Sequence, residues 1–169
     1  MKMDYPKIYK ASLEEAMFKG ETELFHTSHK LNIACKQAIE TAIRENFDGI
    51  HLNKDCFQHV LEEYGAGRLE WVLANTLQQK DYDGRFSSDN KKWAGTIHIP
   101  ETNANGVDLR RNFMVDSHPA VLDGFISLVR YELTERKIQQ RKLSIKEQLS
   151  VPMTQNANPI ERKQNREVR

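Results

Sequence analysis

Apolar residues recur every three or four positions along most of this chain, and glycine, proline and Asn/Asp clusters interrupt them, a pattern that predicts helices. Ser12-Leu13-Glu14-Glu15 reads as a capping box opening a short helix over about 12–19, with Gly20 as its stop. A long helix follows over about 22–47. Its inner face is Leu24, Ser28, Leu31, Cys35, Ala38, Ile39, Ala42, Ile43 and Phe47, and Asp48-Gly49 ends it. Ile50-His51-Leu52 is too short to predict a strand. Asn53 can cap a helix over about 54–64 with Phe57, Val60, Leu61 and Tyr64 inward. Gly65-Ala66-Gly67 forms a hinge into a helix over about 67–79, which buries Leu69, Val72, Leu73, Thr76 and Leu77 and turns Arg68, Glu70, Gln78 and Gln79 outward. Within it, Asn75 either anchors the following loop or faces water.

Beyond the turn at Asp83-Gly84, Ser87 or Ser88 can start a short helix through Trp93. Residues 99–116 read as loop, with a short extended piece within Val107–Val115. Ser117 is the expected N-cap of a last long helix, with Pro119 in its first turn and Val121, Leu122, Phe125, Leu128, Val129 and Leu133 on its face. From about 138 onward Gln, Asn, Lys and Arg dominate, too few apolar groups to offset ordering entropy, and disorder is expected apart from a helical turn over Ser144–Leu149 on binding. The fold class is therefore mainly α. A compact bundle of about five to six helices is expected over 1–137, with a long loop at 99–116 and a disordered basic tail over 138–169.

A hydrophobic fraction of 38% and a charged fraction of 29% suit a soluble domain with a modest core. No apolar run approaches 18 residues, which excludes a membrane-spanning helix by sequence, and the Met1–Pro6 segment lacks the apolar stretch of a secretion signal. Cys35 and Cys56 lack metal or redox spacing and read as buried free thiols. Charge is divided unevenly. Residues 136–169 carry nine Lys/Arg against three Glu, leaving sixteen basic and twenty-one acidic residues before them. A mildly acidic body with a basic tail can meet an anionic partner, although a solvated tail is the commoner reason for such asymmetry.

The densest chemistry lies between Lys80 and Trp93. Four cations (Lys80, Arg85, Lys91, Lys92) alternate there with Tyr82, Phe86 and Trp93, around Asp81 and Asp83. Cations with stacking rings fit single-stranded nucleic acid or a protein partner. Against this, Phe86 and Trp93 lie seven apart, a core-like helical spacing. Asp81 and Asp83 do not make a calcium loop, because the twelfth position is Lys92 rather than glutamate, and an Asp83–Arg85 or Asp83–Lys80 pair explains them more simply. His26 and His29 sit a turn apart without the further ligands zinc needs, so neither metal nor cofactor is expected. His118, beside Asp116, is the better acid/base candidate, although a first-turn histidine more often caps or packs.

Taken together, Asn32–Glu40, Phe47-Asp48-Gly49, Val72–Thr76, Lys80–Ser87, Asn90–Ala94 and Ser117–Phe125 resemble a domain-of-unknown-function family of Gram-positive gut bacteria carried on integrative conjugative elements and plasmids. The resemblance covers roughly residues 5–135. The chain is also similar in size and setting to streptococcal anti-CRISPR proteins that act on the type II RNA-guided nuclease, one class of which shortens the guide RNA. The resemblance implies a bacterial cytoplasmic counter-defence protein whose partner is that nuclease or its guide. Binding would use Lys80, Asp81, Tyr82, Asp83, Arg85, Lys91, Lys92 and Trp93 with Arg110 and Arg111. If RNA is cut, His118 would serve as acid/base, with Arg85 or Lys92 stabilising the phosphorane. The alternative is a non-catalytic interaction module in conjugation or element maintenance.

Overall fold

Ser12 and Gly20 bound the first helix as their chemistry requires. In the computed structural model, which describes residues 5–150, helix α1 spans Leu13–Lys19. Ser12 Oγ accepts from the Glu15 amide at 3.1 Å. Gly20, at φ 71°, returns its N–H to the Ala16 and Met17 carbonyls. Only half of the reciprocal box forms, because the Glu15 carboxylate pairs with Lys19 at 3.0 Å.

Helix α2 spans Thr22–Asn46, close to the predicted limits. Its face is a correction. Leu24 is 59% exposed, and Phe25 and Asn32 turn inward in its place, alongside the expected Ser28, Cys35, Ile39, Ala42 and Ile43. The rotation has two causes. Phe25 packs with Leu13, Ala16 and Tyr9, and Ser28 and Asn32 meet the buried Arg68. After α2, Asp48 Oδ1 caps the Ile50 and His51 amides, and Phe47 and Leu52 form a lone antiparallel bridge. Asn53 Oδ1 accepts from the Asp55 amide, but it heads a turn, and helix α3 begins only at Gln58 and runs to Tyr64.

One residue, Gly65, separates α3 from helix α4 (Ala66–Gln79). Its φ of 86° favours glycine, and a Cβ there would stand 2.9 Å from Tyr5 Cδ2. Helix α4 is the centre of the fold, buried continuously from Arg68 to Leu77 except at Glu70 and in contact with α2, α3 and the next helix. A helix apolar on most of its circumference belongs inside the protein, and each fully buried Leu or Val there stabilises by about 1.5–3 kcal/mol. Arg68, expected outside, is only 3% exposed.

Helix α5 covers Ser88–Gly95, with Ser87 Oγ capping the Asn90 amide. The predicted loop contains more order than expected. Strands β1 (Asn103–Ala104) and β2 (Val107–Asp108) pair antiparallel about Asn105 and Gly106, both at positive φ as a tight hairpin turn demands. A 3-10 turn over Leu109–Phe113 follows.

Helix α6 spans Pro119–Ser150. Its N-cap is His118 rather than Ser117. The His118 carbonyl accepts from the Leu122 amide at 2.9 Å, and its Nδ1 accepts from the Ala120 amide at 3.2 Å. Pro119 thus takes the first helical position, where a missing N–H costs nothing. Leu122, Phe125, Ile126 and Val129 are buried, whereas Val121 and Leu128 are only partly so. The helix continues past 138 on residues of good helical propensity, without Gly or Pro. The rest of the expected tail, 151–169, lies outside the described residues.

The chain divides into two units, one running to Arg130 and one from Tyr131. Phe125, Ile39, Leu69, Leu73, Leu77 and Leu122 are among the largest apolar side chains fully enclosed in the first. Cys35 and Cys56 are free and buried, and burial pushes their thiols up to about 12 and about 11, away from reactivity. Among the described residues no helix is long and apolar enough to cross a membrane.

Candidate functional site

The Lys80–Trp93 segment is largely committed to holding itself and α6 together. Asp83 accepts from the Arg85 amide at 3.0 Å, from Nε at 3.0 Å and from a terminal guanidinium nitrogen at 2.9 Å. Those bonds hold the Asp83 carboxyl down at about 2. The Arg85 charge is therefore neutralised locally, as the simpler reading of the pair anticipated. Lys80 turns its Nζ toward the Val115 carbonyl at 3.5 Å, and Phe86 is 2% exposed.

Asn90, 1% exposed, is the rivet. Its Nδ2 donates to the Asp123 carbonyl, Asp123 Oδ1 and Ser127 Oγ at 3.2, 2.8 and 3.1 Å. Its Oδ1 accepts from Arg130 at 2.7 Å, and the Arg130 guanidinium lies 5.5 Å from the centroid of the Trp93 ring. Asp123 also caps the Ser87 amide at 2.9 Å. Asp81, Tyr82, Arg85, Ser88, Asp89 and Lys92 reach solvent, with Lys91 half covered. Arg110 is clamped by both oxygens of Asp108, and Arg111 is exposed. Asn75 anchors the loop by donating to the Arg110 carbonyl at 2.9 Å, while its buried Oδ1 has no partner among the described residues.

The Asp83 carboxyl is expected to titrate with a midpoint near 2 by carbon-detected NMR. Because the folded value lies below the unfolded 3.8, the pair's contribution is complete above the unfolded value and fades as pH falls toward 2. A midpoint at the ordinary carboxylate value would mean the clamp does not form in solution.

The proposed catalytic trio does not come together through any bond. Among the described residues, His118 shares no hydrogen bond or ion pair with Arg85, Lys92 or Asp116; the Asp116 amide instead donates to Glu40. With Nδ1 accepting at the helix start, a neutral His118 carries its proton on Nε2. That ring lines a groove of about 660 Å³ formed with Ile43, Phe47, Ile50, Leu52, Ala120 and Val121. Ile50, 80% exposed, stands in its wall.

A second cluster was not anticipated from the sequence. Tyr9, Phe25, His29, Trp71 and Phe113 surround a void of about 20 Å³, room for about one water. His29 stacks on Phe25 at 5.8 Å and 11°, meets Phe113 edge-on at 5.6 Å, and lies 3.2 Å from Asn112 Nδ2. Burial, helped by neighbouring His26, lowers its pKa. Tyr9 donates to Glu21 at 2.7 Å, which raises its phenol to about 12. The cluster packs the N-terminal segment against α2. The sequence signal for it was Phe25 and His29 one turn apart, a spacing that carries little information alone.

A protein-family model matches residues 8–134; the family is described as a protein of unknown function (DUF3849). No curated protein and no solved structure matches the chain.

Proposed function

Because the chain belongs to this DUF3849 family of unknown function, we propose from its own geometry that it acts by binding a protein partner and not by breaking a bond. The observation that carries this reading is the pairing of a tied-up chemical loop with a free apolar groove. Arg85 is neutralised by Asp83 and His118 is engaged at the start of α6, while Phe47, Ile50, Leu52 and Val121 offer an apolar surface. Apolar concave surfaces with a few polar groups suit protein side chains better than a phosphate backbone. The partner we put forward is the type II RNA-guided nuclease, which rests on the resemblance to mobile-element proteins. Inhibition would be stoichiometric, by occlusion.

The test mixes purified protein with loaded nuclease and target DNA, and runs the guide on a denaturing gel. Cleavage should fall as the protein approaches one equivalent, with the guide at full length. Ile50→Asp should raise the concentration needed about tenfold, the loss of a buried anchor. A shortened guide would overturn the binding mechanism. Undiminished cleavage would remove this partner and favour an element-encoded partner in conjugation or maintenance.

A further inference from the structure

The second unit presents a surface that the groove reading does not use. Within Tyr131–Leu149, the side chains of Tyr131, Ile138, Ile145 and Leu149 fall at intervals of seven, seven and four. At 100° per residue they occupy an arc of about 40° along one side of the helix. Tyr131, Ile145 and Leu149 are 68%, 50% and 81% exposed. The stripe is far narrower than the face of a helix packed in a core, with one apolar side chain per seven residues up to Ile145 and Glu135 and Lys142 between them.

The charges beside the stripe name the occupant. Glu132, Glu135, Lys142 and Lys146 all project along the same edge, acids toward the start and cations toward the end. Like edges of two identical helices meet only when the helices run antiparallel. In that arrangement Glu135 of each copy faces Lys142 of the other, and Glu132 faces Lys146. We infer that Tyr131–Leu149 is a self-association surface on which a second copy of this chain docks antiparallel, about a twofold axis near Ile138. The two Ile138 side chains then meet at the axis, and Tyr131 packs beside the second copy's Ile145. The contact is isologous and closes at two copies.

An RNA or an anionic membrane fits the same stripe poorly, since Glu132 and Glu135 border it. The paired segment is about 28 Å long, under three heptads, so the dimer is weak and of micromolar dissociation constant. Glu132 already holds Arg136 of its own helix at 2.6 Å, which leaves Glu135–Lys142 as the stronger intermolecular pair.

Sedimentation equilibrium of the full chain over a concentration series tests this. The expected result is a reversible rise from monomer to dimer mass and no further. Ile138→Asp should leave a monomer throughout, with an unchanged circular dichroism spectrum in its first-unit aromatic bands. Glu135→Lys should raise the dissociation constant about tenfold, and adding Lys142→Glu in the same chain should restore it. A wild-type monomer at every concentration would overturn the inference. So would a charge swap that fails to rescue, or association that appears only with added RNA or anionic vesicles. Ile50→Asp, which probes the groove, should leave the dimer constant unmoved.

Discussion

Replacing Arg68 with methionine should destabilise the protein by about 3 kcal/mol, seen as a lower urea midpoint at unchanged slope. The guanidinium is 3% exposed and has no carboxylate partner among the described residues. One terminal nitrogen donates to the Ser28 carbonyl at 2.9 Å, to Ser28 Oγ at 3.3 Å and to Asn32 Oδ1. The other reaches the Pro6 and Lys7 carbonyls at 3.4 and 3.3 Å. Burial lowers the arginine's pKa from its ordinary value, yet it stays charged. Methionine preserves much of the stem but strands these acceptors, each buried unsatisfied group costing about 1–3 kcal/mol. Relief of the guanidinium's own desolvation offsets part of that loss. Lysine should recover only part of the stability, because one ammonium cannot serve both groups of acceptors. Pairing Arg68→Met with Asn32→Leu should also recover part, since removing both partners leaves less unsatisfied. An unchanged midpoint in the single variant would show that the arginine is not the clasp described.

Asn90→Ala is the second change of large expected effect, about 2–4 kcal/mol. It removes three donor contacts to Asp123 and Ser127 and the acceptor that holds Arg130. Alanine leaves the half-buried Asp123 and Arg130 without their partner, whereas the exposed Ser127 hydroxyl can turn to water. Trp93 fluorescence should shift as well, because the cation beside its ring is no longer tethered. A double-mutant cycle with Arg130→Met should show coupling of about 1 kcal/mol. Additive losses would mean the two residues act independently.

These two positions also mark where sequence reading succeeds and where it fails. Ser12, Gly20 and Ser87 announced their helix ends because caps are local, set by groups within a few residues of each other. Arg68 was assigned to solvent because periodicity sorts residues by type, and its acceptors lie 36 to 62 positions away. Leu24 was preferred to Phe25 by the same template, until Tyr9 and α1 turned the helix toward the ring. Asn105-Gly106 is a recognisable hairpin turn, but strands of two residues leave no alternation to detect. In the candidate site, the Asp83–Arg85 clamp was foreseeable from a separation of two. The Asn90–Asp123–Arg130 rivet joins α5 to α6 across a loop, and no local pattern encodes it. His118 was read as a first-turn histidine behind a Ser117 cap; it is itself the N-cap, because its own carbonyl and Nδ1 accept the first free amides.

The arginine clasp also sets a schedule for synthesis. Residues 6 and 7 cannot reach their donor until a further sixty or so residues have been translated. At roughly 5–20 residues per second, that interval lasts several seconds. During it the segment around Tyr9 has neither Arg68 nor the α2–α4 surface to rest on. Closure of the first unit is then a late event on the nascent chain, and slowing translation between α2 and α4 would lengthen exposure of Phe25 and its neighbours to chaperones and proteases.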